Sequence, residues 1–326
     1  MEPSAIYHSD YLRAVWTRGA PDRPLADLVT FEPLAARNAR RPPFGAGFAT
    51  KYGLNAVHII PAGWHWYQYP DLDDCLAAVA AVTAPGATAT GSSMGGYAAT
   101  TYGDRIGVAK TISFGPQFSI QRAAVPFEHR WHKAAESIAF RPDDLDVAQN
   151  ARHYIFFDPL TQDAKHARMI AERGRAVALV PVECGGHVVA AVLAEAGCLA
   201  TITRAILAAE PTADDLAAMI SGTERSARFH ITRAQKLPMR QREPELRAAF
   251  ALAPHNVLVR WHLAQFLCRV GRAAEALEHL TYLTQQHPKS DRFKLAYQAA
   301  CAVAEAAPTA VAGPPVRRLR RTATTG

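Results

Sequence analysis

The sequence predicts an α/β fold: a mostly parallel sheet with helices on both faces and a lid insertion, followed by a small all-α region. Three observations carry this. Short β-prone runs alternate with helical stretches between residues 28 and 196, as a parallel sheet requires, because each strand is reached through a covering crossover. From about residue 221 onward no strand pattern is found and helical periodicity takes over. Between these regions, a strand runs into Gly91-Ser92-Ser93-Met94-Gly95 and a helical segment leaves it.

Taken in order, residues 1–26 mix Tyr7, Tyr11, Leu12 and Trp16 with turn formers and are assigned as an N-terminal flap. Apolar, β-branched runs bounded by turn residues then mark strands at 28–31, 56–60, 87–90, 111–114, 154–157 and 177–182. Helices are expected at 71–82, 97–102, 133–139, 164–173 and 188–196. Residues 117–150 interrupt the alternation with Phe118, Phe127, Trp131 and an acidic run, and they read as a lid. His129 and His132 within it have a metal-like spacing, but nothing nearby completes a ligand set, so no metal is expected.

After residue 210 the pattern is helical. Pro254 and Pro288 stand 34 residues apart, and Leu263, Ala264, Leu267, Gly271, Ala276, Leu280 and Leu283 lie between them at small and apolar packing positions. This stretch resembles a tetratricopeptide (TPR) repeat. Phe229, Leu246 and Ala249 mark a weaker preceding unit, so residues 221–306 are assigned as a TPR-like helical region. The resemblance implies docking of a protein partner or of a second copy.

Composition narrows the function. An apolar share of 49% and a charged share of 20% describe a soluble globular chain, with no apolar run long enough for a membrane span. Five widely spaced cysteines, Cys75, Cys184, Cys198, Cys268 and Cys301, suit a reducing compartment, and Met1-Glu2-Pro3-Ser4 lacks secretory features, so a cytoplasmic location is expected. Arg317, Arg318, Arg320 and Arg321 supply four of the seven net positive charges, so residues 307–326 read as a disordered basic tail rather than a specific nucleic-acid surface. No phosphate loop or dinucleotide fingerprint is found, and no cofactor is expected.

The pentapeptide around Ser93 resembles the nucleophile elbow of the α/β-hydrolase superfamily, and the resemblance covers residues 27–210. It implies that Ser93 attacks an acyl carbonyl, that an acid follows a later strand, and that a histidine follows the last one. His187 ends a Gly-Gly-His turn after the last strand. Asp158 leaves the 154–157 strand directly and is favoured as the acid; Asp163, the alternative, also reads as a helix N-cap. The Met94 N–H is one oxyanion donor. The second should come from the loop after the first core strand, where Pro33 has no N–H, so Glu32 or Leu34 must serve. Trp64, Trp66 and Tyr67, at the C-terminal end of the second core strand, are expected to bind substrate, stacking on a sugar or enclosing an acyl chain. Arg37, Arg40 and Arg41 read as a solvated loop, with contact to an anionic substrate as the alternative.

The expected function is that of a serine esterase or acyl hydrolase acting on a small-molecule or glycan acyl substrate. The alternative is a catalytically weak or inactive hydrolase-fold scaffold whose helices mediate protein interaction.

Overall fold

A computed structural model describes residues 5–19, 24–34 and 41–306. Arg37, Arg40 and the basic tail lie outside the described residues. Eight strands, β1 (Ala5–His8), β2 (Leu12–Thr17), β3 (Ala26–Phe31), β4 (Ala56–Pro61), β5 (Thr83–Ser92), β6 (Lys110–Phe114), β7 (Arg152–Phe157) and β8 (Val177–Pro181), form one sheet in the order β1-β2-β4-β3-β5-β6-β7-β8. Pairing from β4 through β8 is parallel; β2 runs antiparallel to β4 and to β1. This is the mostly parallel α/β architecture that the alternation predicts.

The helices are α1 (Ala46–Lys51), α2 (Leu72–Ala80), α3 (Met94–Tyr102), α4 (His132–Glu136), α5 (Asp163–Arg173), α6 (Val189–Ala196), α7 (Leu199–Ala208), α8 (Ala213–Met219), α9 (Ala227–Lys236), α10 (Arg242–Leu252), α11 (Val257–Arg269), α12 (Ala273–Gln286) and α13 (Asp291–Ala306). Helices before residue 254 cover both sheet faces, and β7 shows why. Successive side chains of a strand point to opposite faces. Tyr154 and Phe156 pack with Val189, Leu193 and Ile202 of α6 and α7, whereas Ile155 and Phe157 pack with Ala164, Ala167 and Ile170 of α5. A strand buried on both faces reads as a continuous apolar run, which is what Tyr154-Ile155-Phe156-Phe157 is.

The expected N-terminal flap instead forms two strands at one end of the sheet, β1 at the edge and β2 between it and β4. Leu12, Ala14 and Trp16 of β2 alternate inward and join the core under α2, while Tyr7 and Ser9 bond the Asp71 carboxylate ahead of that helix. No single described helix is long and apolar enough to cross a membrane.

The chain forms two compact units, Met1–Ala253 and Pro254–Gly326. Helices α9 and α10, which the sequence groups with the later helices, fall within the first unit. Specific bonds hold α9 there, Arg228 and Ser226 to Glu195 of α6 and Lys236 to Asp158 beyond β7, and α10 is tied to α9 through His230 Nδ1 and Glu245 Oε2 at 2.6 Å. In the second unit α11 packs on α12 and α12 on α13. Leu263, Ala264, Leu267, Ala276, Leu280 and Leu283 are all buried there.

Residues 117–150 are fastened by one buried carboxylate. Asp144 is 2% exposed and accepts from Ser119 Oγ at 2.5 Å, Tyr97 Oη at 3.0 Å and Gln68 Nε2 at 3.3 Å. Tyr97 belongs to α3, so this network ties the insertion to the helix that follows Ser93. Asp144→Ala leaves the buried Ser119 hydroxyl without its acceptor and takes one acceptor each from Tyr97 and Gln68, which keep other partners, and a loss of about 2–3 kcal/mol in urea unfolding is expected. A loss below about 1 kcal/mol, within the range of ordinary surface changes, would mean that other contacts hold the segment.

Candidate active site

Ser93 stands between β5 and α3 with φ 53° and ψ −119°, a left-handed backbone that a non-glycine residue adopts only when its surroundings force it. The flanking glycines allow this. A Cβ on Gly91 would lie 2.2 Å from the Gly95 carbonyl, and one on Gly95 would lie 2.2 Å from the Phe31 oxygen. The Ser93 N–H donates to Phe114 O of β6 at 2.9 Å, which fixes the turn against the neighbouring strand. The Met94 N–H opens α3, where the first-turn N–H groups have no partner within the helix.

His187 follows β8 and reaches across to the serine, its Nε2 2.9 Å from Ser93 Oγ. Its Nδ1 lies 2.9 Å from Asp163 Oδ2. Asp163, at 0% exposure, also accepts from Arg130 Nη2 through Oδ1 at 2.6 Å. Burial opposes ionisation of this carboxyl, but the bonds and charges of His187 and Arg130 outweigh it and hold the pKa below the ordinary aspartate value.

Asp158, which the sequence favours as the acid, does not bond His187. Its Oδ1 accepts from Leu160 N at 3.0 Å and its Oδ2 from Gly186 N at 2.9 Å, with Lys236 Nζ bonding both oxygens at 2.8 and 2.6 Å. The residue that leaves β7 therefore anchors the Gly-Gly-His turn from below. The turn closed by Thr161 N on Asp158 O then carries the chain to Asp163, which faces the histidine. Nor does Asp163 cap its helix: the N-cap is Gln162, without a side-chain bond, which leaves the carboxylate free for His187.

Two further expectations change. The Glu32 N–H donates to Ile59 O at 3.1 Å and is spent extending the sheet, so it is not an oxyanion donor. Its carboxylate, meanwhile, accepts from Phe44 N at 2.6 Å. The three aromatics also separate. Trp66, fully buried, donates from Nε1 to Gln117 Oε1 at 3.3 Å and packs on Trp131 at 5.1 Å. Tyr67 is equally buried but belongs to the core, with its hydroxyl on Glu32 O and Ile59 O and its ring edge-on to Phe31. Trp64 is 55% exposed. Trp66 and Tyr67 both have positive φ, 48° and 58°, and this backbone turns Trp66 toward the serine end of the sheet.

No protein-family model and no curated protein sequence matches the chain. Among solved structures it is similar to a fluorophosphonate-binding serine hydrolase, FphF of Staphylococcus aureus, at 16% identity and TM-score 0.37, over 54% of this chain and 89% of that one. It is similar also to a hydrolase of Agrobacterium vitis described as putative, at 16% identity and TM-score 0.40, over 68% and 98% of the two chains. A third is XC6422 of Xanthomonas campestris, described as an α/β serine hydrolase without lid, at 15% identity and TM-score 0.32, over 55% and 84%.

The sequence did not single out Gln117, Arg130 or Trp131 for the site. Arg130 Nη2 bridges Asp163 and Glu128 Oε2, each at 2.6 Å, while Glu128 also meets His166 Nε2 at 3.0 Å. His166 Nδ1 accepts from Phe118 N, so its Nε2 carries the proton given to Glu128. Burial raises the Glu128 pKa, but the bonds from His166 and Arg130 prevail and bring it down to about 2. Trp131 covers His187 at 6.2 Å between ring centroids. The signal that could have found Gln117 is its place: it stands just past β6, at the sheet edge where ligands of open α/β sheets bind.

Proposed function

We propose that the protein is a serine hydrolase that cleaves an acyl ester or a related acyl bond, with Ser93 as nucleophile, His187 as base and Asp163 as the orienting acid. The observation that carries this reading is the continuous relay at 2.9 Å from Ser93 Oγ to His187 Nε2 and from His187 Nδ1 to Asp163. Ser93 Oγ bonds to the acyl carbon as its proton passes to His187 Nε2, and the carbonyl electron pair moves onto the oxygen, where the Met94 N–H receives it. Collapse of this intermediate breaks the bond to the leaving group, which takes the proton back from His187. Water then repeats the sequence on the acyl-enzyme, and the acid is released. Asp163 holds the imidazole in the tautomer with its proton on Nδ1.

The half-buried Trp131 ring beside His187, backed by the buried Trp66, offers an apolar surface that suits an uncharged acyl or glycosyl group. Among the described residues Arg130 is paired with Glu128 and Asp163, and Lys236 with Asp158, so neither of these cations is left to attract an anion. Hydrolysis of aryl esters of graded acyl length tests the reading. Wild type is expected to turn over at least one of the series and Ser93→Ala none; hydrolysis retained by Ser93→Ala would contradict it.

A further inference from the structure

Ester cleavage at Ser93 needs two donors aimed at the developing oxyanion, and the Met94 N–H at the start of α3 is one of them. In the loop after β3, the Glu32 N–H is bonded to Ile59 O and Pro33 has no N–H. We propose that the Gln117 carboxamide is the missing donor, a catalytic side chain whose N–H receives the oxyanion formed when Ser93 attacks. The proposal rests on the hydrolase reading above.

Gln117 is 0% exposed, and its Nε2 lies 3.3 Å from Ser93 Oγ. Its orientation is fixed by chemistry. An indole N–H can only donate, so Trp66 Nε1, 3.3 Å from Oε1, must face the amide oxygen; both amide atoms lie near the serine, Nε2 at 3.3 Å and Oε1 at 3.4 Å from Ser93 Oγ, and of the two only Nε2 can donate. Ser93 Oγ gives its own proton to His187 Nε2 and accepts from Gln117, so the two contacts do not compete.

Sheet order places the two partners on opposite sides. His187 comes from the loop after β8, whereas Trp66 comes from the loop after β4, which lies on the other side of β5. Held by Trp66, the Gln117 side chain reaches from the end of β6 to Ser93 at the end of β5. Among the described residues the only hydrogen-bond partner of its amino group is Ser93 Oγ, at a long 3.3 Å. A long bond to a neutral oxygen that becomes a short bond to an anion stabilises the transition state more than the ground state, which is the condition for raising kcat.

In the reaction the Oγ–C bond forms, the carbonyl π pair becomes the oxyanion lone pair, the Ser93 proton moves to His187, and the Gln117 N–H shifts from Oγ to the new anion. The test compares an aryl ester with its thiono counterpart, in which sulfur replaces the carbonyl oxygen and accepts hydrogen bonds poorly. Gln117→Ala in the full chain is expected to lower kcat/KM for the ester by about 10²–10³-fold. The thionoester rate is expected to change far less, so the ester-to-thionoester ratio collapses. Gln117→Glu, which keeps the side-chain volume and the Trp66 contact but removes the donor, should collapse the ratio in the same way. If both rates fall together, or neither falls, Gln117 only shapes the site and the role passes to the Leu34 N–H. A folded wild type that hydrolyses neither substrate overturns the hydrolase reading and this proposal with it.

Discussion

Asp163→Asn is expected to lower kcat by about 10⁴-fold, because the variant forces the wrong histidine tautomer. The asparagine has one carbonyl and one amino group, and the neighbours decide which faces where. Arg130 only donates, so it claims the carbonyl oxygen at the place now held by Asp163 Oδ1, and the amino group is left against His187 Nδ1. Nδ1 must then accept, the ring proton moves to Nε2, and His187 can no longer take the proton of Ser93. Asp158→Asn should lower kcat by no more than about tenfold, since Asp158 touches the Gly186 N–H and Lys236 rather than the imidazole. It should weaken the His187 loop instead, with a lower thermal midpoint. Steady-state kinetics of the two variants on one aryl ester checks the pair; the opposite ranking would return the acid role to Asp158.

Arg130→Ala carries the next largest expected effect, a loss of about 3–5 kcal/mol, because it leaves Glu128 and Asp163 as buried carboxylates without their cation. The pH dependence gives this a signature. Both carboxyls titrate below their ordinary values in the folded chain, so over the acid range the unfolded chain binds more protons and stability rises with pH. Their contribution is full above the unfolded pKa and is lost as pH falls through the folded one, for Glu128 between about 4.5 and about 2. Without Arg130 the depression shrinks, and the difference in stability between wild type and variant should narrow from pH 7 to pH 3. Urea unfolding at these pH values measures it, and a constant difference would show that Arg130 acts through packing alone.

Much of this was legible in the sequence, for physical reasons that also explain what was not. The six core strands could be read because both faces are covered, so apolar residues run continuously, as in Tyr154-Ile155-Phe156-Phe157. Ser93 and His187 could be read because glycines are obligatory where the backbone turns sharply beside them. The sequence ranks Asp158 above Asp163 as the partner of His187, and the structure reverses that order. Asp158 and Asp163 are five residues apart, and the intervening turn, which no periodicity encodes, decides which side chain meets His187. An N-cap reading explained Asp163 too readily, although no cap bond is made.

Glu32 was misjudged because a loop N–H cannot be known to be free until the neighbouring strand is placed; Ile59 of β4 takes it. The strands β1 and β2 escaped notice because a short hairpin interrupted by turn formers carries little pattern of its own. Gln117 and Arg130 escaped because each acts through partners distant in sequence, Trp66 and Ser93 for one and Asp163 for the other.

Fluorophosphonate labelling followed by peptide mass spectrometry tests the Ser93–His187–Asp163 arrangement most directly. The wild type is expected to carry a single adduct on Ser93, to label more slowly as Asp163→Asn, and not to label as Ser93→Ala. A folded wild type that stays unlabelled, or an adduct that persists in Ser93→Ala, would contradict the assignment of Ser93 as an activated nucleophile.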